Sequence, residues 1–288
     1  MKFRGKMTEL TCMKQFSSVV QTLKGLSRLC VLRLCADRFH FIISPENMGQ
    51  RGAMVWCTLD QTHFFSEYNM KGVTEEDNEI YLELAPDMLI KALNSLKFSQ
   101  VAKSVKIKLT NKIHPCLTFE VELPSTAMHS RICVHDVPVN TIPRRDWPDY
   151  RPPDLPRFDV GIEVPSLKTL RGVVDRMKAL QPHVIMSANK LGSMCLKVNT
   201  DTASIAMHFR DLRIVDADQG RRILDNDEEN EEDMFSVRLD AKRLSSVLTS
   251  ELLHPRRVLC HILDDQMLHM VLEHEDVLMH YCVTAVSA

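Results

Sequence analysis

The sequence predicts an α+β fold of two similar domains, each built from two units of strand, helix and paired strands. Three observations carry this. Four amphipathic helical patterns start near residues 12, 86, 166 and 241, about 74, 80 and 75 residues apart. Each follows a short alternating strand and precedes two strands joined by a polar turn. Between the second and third units lies Asn140 to Pro156, whose five prolines deny the backbone regular pairing. The expected boundaries are a first domain at 1–139, a connector at 140–156 and a second domain at 157–288.

The first unit runs from "KFRGKMT" into a helix over Met13–Leu26, with Phe16, Val19, Val20 and Leu23 on one face. Its strands "LCVLRLC" and "FHFIIS" turn at Asp37-Arg38. The second begins with "EIYLEL" and a helix over Pro86–Lys97, opened by a proline suited to a first turn. "SVKIKLT" and "PCLTFEVEL" follow, around Asn111-Lys112. The third has "DVGIEVP" and a helix over Ser166–Leu180, with an apolar stripe of Leu167, Leu170, Val174, Met177 and Leu180. "HVIMSA" and "SMCLKV" then flank Asn189–Gly192. The fourth has "FSVRLD", a helix over Ala241–Leu253, and "RVLCHIL" and "MLHMVLE" around Asp264–Gln266. Asn, Asp and Gly are what tight turns between alternating strands require.

With 44% hydrophobic and 26% charged residues, the chain has an ordinary globular composition. The longest uninterrupted apolar run, Ala53–Cys57, is too short to span a membrane, and no apolar h-region follows the start. Nine scattered cysteines and no N-x-[ST] sequon argue against a disulfide framework and for an intracellular location. "DNDEENEED", Asp225–Asp233, reads as a solvated loop.

Charge is unevenly placed. Residues 12–28, 86–97, 166–180 and 241–253 carry +3, +1, +3 and +1, although the whole chain is −2. The helices therefore total +8 and the remainder −10. The cations are Lys14, Lys24 and Arg28; Lys91 and Lys97; Lys168, Arg171, Arg176 and Lys178; and Lys242 and Arg243. Lys168, Arg171 and Lys178 repeat at helical spacing, as do Lys14, Ser17, Gln21, Lys24 and Arg28. Solubility explains any one such helix. Four equivalent ones in a chain acidic elsewhere point to a polyanion. Rows of Lys and Arg without interleaved aromatics suit phosphates, so the expected contact is with a duplex backbone, independent of sequence and sensitive to salt.

Signals for chemistry are weak. There is no G-x-x-x-x-G-K-[ST], G-x-G-x-x-G or G-x-S-x-G. His129, Cys133 and His135 share a strand face but lack a fourth ligand, and read as satisfied strand residues. No enzyme, metal or cofactor is expected.

Several stretches carry a family resemblance: "MKFRGKM", "MVWCTLDQTHFFSEYNMKGV", "NEIYLEL", "VKIKLTNKIHPCLTFEVEL", "HDVPVNTIPRRDW", "HFRDL" and "LEHEDVLMHY". With the four units, they resemble DNA sliding clamps of the PCNA type. Most closely they resemble the Hus-one family, a subunit of the nine-one-one (Rad-nine, Rad-one, Hus-one) DNA-damage checkpoint clamp. The resemblance implies a heterotrimeric ring with helices lining the hole and sheets outside, placed on DNA by an RFC-like clamp loader. It implies no catalysis, support of ATR signalling, repair enzymes as clients, and a nuclear location with a cytoplasmic pool also allowed. The basic helix residues would face the duplex. "HSRICVHDVPV" and "ASIAMHFR" would form the subunit edges, through Ile132, Val134 and Asp136 and through Ser204, Ala206 and His208. In the connector, Ile142, Trp147 and Tyr150 would meet clients, although Trp147 fits equally well as a pin to its own domain. The alternative is a homotrimeric PCNA-type processivity clamp.

Overall fold

The structure is a computed structural model that describes residues 1–44, 54–98, 102–124, 131–215 and 233–286. His129 and, Asp233 apart, the acidic run 225–233 lie outside these residues. The chain divides into two compact units with their main boundary at Pro152/Pro153.

In the first unit the order is β1 (Lys2–Met7), α1 (Leu10–Leu26), β2 (Cys30–Leu34), β3 (Arg38–Ile43), β4 (Met54–Asp60), α2 (Gln61–Phe64) and β5 (Glu67–Lys71). Then come β6 (Ile80–Leu84), α3 (Pro86–Phe98), β7 (Ser104–Asn111), β8 (Pro115–Leu123), β9 (Arg131–Pro138) and β10 (Asn140–Thr141). One sheet has the order β5-β1-β7-β8-β9, and a second set runs β10-β6-β2-β3-β4. The first strand of each repeat thus joins the other repeat's strands: β1 pairs with β7, and β6 with β2. Phe3, Phe16, Phe39, Phe41 and Phe119 fill the space between these strands and the two helices, all but excluded from water.

The second unit repeats the plan with β11 (Val160–Glu163), α4 (Leu167–Lys178), β12 (His183–Ala188), β13 (Met194–Asn199) and β14 (Ser204–Phe209). β15 (Phe235–Asp240), α5 (Ala241–Leu248), β16 (Arg257–Leu263), β17 (Met267–His274) and β18 (Val277–Thr284) complete it. The exchange recurs, β15 pairing with β12 and β11 with β16. Leu170 and Val174 of α4 and Leu244 and Leu248 of α5 are buried with Met186, Leu196 and Met270 of the strands.

Three helix ends depart from the periodicity. α1 begins at Leu10, because Glu9 is still extended (φ −88°, ψ 129°) and accepts from the Met13 N–H at 3.1 Å. α4 stops at Lys178, ahead of Pro182, and leaves Leu180 half exposed rather than in the apolar stripe. α5 stops at Leu248 and continues as 3-10 turns over Thr249–Leu253. There the Thr249 and Ser250 hydroxyls donate to the carbonyls of Ser246 and Val247, at 2.5 and 2.7 Å. Such back-bonding favours the tighter helix.

The β12–β13 turn depends on Gly192, whose φ is +78°. A Cβ there would lie 2.3 Å from the Leu212 carbonyl oxygen, a group the fold cannot easily move. Gly192→Ala is expected to cost about 2 kcal/mol or more, combining a left-handed backbone with a steric clash. A lower urea midpoint checks this, and an unchanged midpoint contradicts it.

Candidate nucleic-acid face and subunit edges

α1 buries Cys12, Met13, Phe16, Val19, Val20 and Leu23, which leaves Lys14 on the opposite, exposed face. Arg28 is exposed just beyond its end. Lys24 reaches to α3, where its Nζ lies 2.6 Å from Oδ1 of Asp87; Lys91, one turn along α3, lies 3.0 Å from Oδ2. One carboxylate therefore holds a lysine from each helix. Hydrogen bonds from Lys24 and then Lys91 keep Asp87 below its ordinary pKa. Lys97 is in the last turn of α3, with its side chain outside the described residues.

The second unit has a matching arrangement. Asp175 of α4 lies 2.7 Å from Lys178 and 3.7 Å from Arg171. The buried Ser245 hydroxyl of α5 donates to Asp175 at 2.7 Å and accepts from Lys178 Nζ at 2.8 Å. The bond from Lys178 and then that from Ser245 lower the Asp175 pKa. The expected row of Lys168, Arg171 and Lys178 is thereby divided. Arg171 and Lys178 flank Asp175, whereas Lys168 and Arg176 flank Gly172 on the open face, where a Cβ would meet nothing within 4 Å. Lys242 is exposed and Arg243 half-buried in the first turn of α5; the Asp240 carboxylate accepts the Arg243 backbone N–H at 2.8 Å. Among the described residues, Lys14, Arg28, Lys168, Arg176 and Lys242 have no ion-pair partner.

Charge counting overlooked the two aspartates as elements of the site. The readable signal was Asp87 four residues before Lys91, and Asp175 four after Arg171 and three before Lys178.

The strands at the two expected subunit edges each end a sheet. Among the described residues, β9 pairs only with β8, and β14 only with β13. Ile132 and Val134 of β9 are 60% and 55% exposed, far above what a covered edge would leave. They stand opposite Glu122 and Glu120 of β8, on the face away from the core, with Asp136 beside them. Asp136 is held below its ordinary pKa by the Lys112 ammonium (2.7 Å) and then by the Thr118 hydroxyl (2.6 Å).

On β14 the large apolar side chains Ile205 and Met207 alternate with Ser204, Ala206 and His208, the residues expected at the subunit edge. Ile205 and Met207 stand opposite Val198 and Leu196, on the helix-covered face. Ser204, Ala206 and His208 are exposed on the other face. Alternation alone told which residues share a face. It did not tell which face the helices cover.

The connector begins as part of the first unit. β10 pairs with β6, the Ile142 N–H donates to the Tyr81 carbonyl at 3.0 Å, and Arg144 pairs with Asp77. Trp147 is buried, stacked on Tyr81 with ring centres 4.6 Å apart, and its indole N–H donates to the Ile142 carbonyl at 3.1 Å. The ring is therefore packed against its own unit and all but closed to solvent. Ile142 and Tyr150 are partly exposed, and residues 151–157 are exposed throughout.

No cluster of three or more His, Cys, Asp or Glu residues suited to a metal occurs among the described residues. No helix there is long and apolar enough to cross a membrane. All nine cysteines are free thiols.

A sequence model of the family described as Hus1-like protein matches residues 1–287. The chain belongs to this family. It is 38% identical over 291 residues to the human Checkpoint protein HUS1, covering all of both chains. It is 29% identical over 265 residues to Checkpoint protein hus1 of Schizosaccharomyces pombe, covering 90% of this chain and 88% of that protein. Among solved structures, the Proliferating Cellular Nuclear Antigen of Entamoeba histolytica matches with a TM-score of 0.69, at 14% identity and over 99% of each chain. PCNA of Thermococcus kodakaraensis matches with a TM-score of 0.69 and 14% identity, over 99% of this chain and 100% of that one. The fold of this Hus1-family chain is the PCNA-like sliding-clamp fold, as the family resemblance implied.

Proposed function

We propose that this chain is a non-catalytic subunit of a heterotrimeric checkpoint ring that encircles duplex DNA without sequence preference. Its neighbours are clamp-fold subunits of the Rad-nine and Rad-one type, its loader is RFC-like, and its place of action is the nucleus. The assembled ring supports ATR signalling and recruits repair enzymes. Lys14, Arg28, Lys168, Arg176 and Lys242 are the cations most open to phosphates; Lys24, Lys91, Arg171 and Lys178 approach DNA while sharing Asp87 and Asp175.

The observation that favours different neighbours over a homotrimer is the facing of the two sheet edges. A strand added to a sheet keeps its faces aligned with those of the strand it joins. If β9 of one copy joined β14 of another, Ile132 and Val134 would meet Ser204, Ala206 and His208 on the outer face. Ile205 and Met207 would meet the half-buried Cys133 and exposed His135 on the inner face. Neither apolar pair finds a large apolar partner, only Ala206 on one face and Cys133 on the other, so each edge suits a different neighbour.

Mixing experiments with Rad-nine and Rad-one type subunits, read by the mass of the species formed, test this. Ile132→Lys with Val134→Lys is expected to abolish pairing with one partner and spare the other. Ile205→Lys with Met207→Lys is expected to show the reverse selectivity. A stable homotrimer of the unmodified chain alone would overturn the reading in favour of a PCNA-type processivity clamp.

A further inference from the structure

Asp175 is not placed where helix stability asks for an acid. A carboxylate in the last turn of α4 faces the negative end of the helix dipole, which disfavours it. It is nevertheless fixed there by Ser245 and shared between Arg171 and Lys178. In the first unit Asp87 is shared between Lys24 and Lys91 in the same manner. Each unit thus sets one acid among the cations of its two-helix layer.

We propose that Asp175 and Asp87 are built-in competitors of DNA phosphates, and that they keep this subunit's hold on the duplex weak and quickly exchanged. The inference rests on the DNA-facing reading of the helices and extends it from cations to the acids that restrain them. A phosphate approaching Lys178 must replace or share a 2.7 Å bond to Asp175, and one approaching Lys24 a 2.6 Å bond to Asp87. The trio Arg171, Lys178 and Asp175 presents a net +1 where its cations alone would present +2. Lys168 and Arg176, free of such restraint, supply attraction. The acid-bound pairs add charge that engages only in exchange. A ring subunit with this balance can stay on DNA without being anchored to one phosphate.

The test uses the assembled ring on linear duplex DNA with open ends, with retention read over a salt series. Asp175→Asn keeps the side chain's shape and an oxygen for the Ser245 hydroxyl but removes the competing charge. It is expected to raise retention about tenfold and to steepen the log–log salt slope by roughly 0.9 for each additional phosphate neutralised. Asp87→Asn, at a half-exposed site outside the Ser245 contact, is expected to act in the same direction, and it decides the matter if Asp175→Asn impairs folding. Lys168→Glu with Arg176→Glu is the companion variant. If that variant weakens retention while neither Asn variant strengthens it, the competitor role is overturned and the DNA-facing reading stands. If the companion variant leaves retention unchanged, the DNA-facing reading fails and the inference falls with it. A purely structural aspartate would lower the melting temperature when replaced, without changing the salt slope.

Discussion

Trp147→Ala is expected to lower the stability of the first unit by about 3–5 kcal/mol, the range for removing a buried Trp or Phe side chain. Trp147 is only 4% exposed, and its ring lies flat against Tyr81 at an interplanar angle of 23°. Tyr81 is itself buried, and the Arg33 guanidinium, held by Glu79, lies 5.6 Å from its ring centre. Truncation removes the ring burial, the stacked contact and the bond to the Ile142 carbonyl together. The start of the connector then loses its largest attachment to β6. The measurements are urea unfolding and proteolysis within residues 144–157, both expected to show the change. Trp147→Phe should keep most of the burial and lose about 1 kcal/mol for the missing N–H bond. A midpoint unchanged by Trp147→Ala would return the ring to the role of a partner anchor.

Acid is expected to destabilise the second unit well before its carboxylates titrate. His261, His269 and His280 stack in sequence across β16, β17 and β18, with centres 5.5 and 5.3 Å apart, and Phe158 stacks on His269. His269 Nε2 and His280 Nδ1 share a hydrogen bond of 3.1 Å, which needs at least one neutral ring. Burial pushes His269 down to about 3 and His280 to about 4, against an ordinary value of 6.5, and lowers His261 as well. The unfolded chain therefore binds more protons than the native one once pH falls below about 6.5. The stabilisation is complete above that value and is lost as pH falls towards the native pKa values. By pH 5 each strongly depressed histidine costs about 2 kcal/mol. Urea midpoints at pH 8 and pH 5 measure the loss, and His269→Phe, which can stack in the same place, is expected to reduce it. Equal midpoints at both pH values would show that the native histidines take up protons as freely as those of the unfolded chain.

Periodicity located most elements because side-chain spacing is a local property. Phe16, Val19, Val20 and Leu23, which spacing marked, are buried in α1, and the polar turns at Asn189 and Asp264 lie where the β12–β13 and β16–β17 hairpins close. Element ends were less legible. The stop of α5 at Leu248 depends on hydroxyls of Thr249 and Ser250 that a hydrophobic pattern does not weigh. The basic helices could be read from composition. The capture of Lys24 by Asp87 could not, because the two lie 63 residues apart in sequence and meet only when α1 and α3 pack.

The sequence by itself determined the repeats, the elements within them, the positive charge on the helices and the family resemblance. All of these depend on residue identity and spacing along the chain. Only the tertiary structure decided that β1 and β6, like β11 and β15, join the strands of the other repeat in their unit. It alone decided which face of β9 and of β14 the helices cover, which acids restrain which cations, and that Trp147 is buried. The physical reason is common to all of these. Strand exchange, facing, ion pairing and burial join residues distant in sequence, and each gains its energy only after the chain has closed around them.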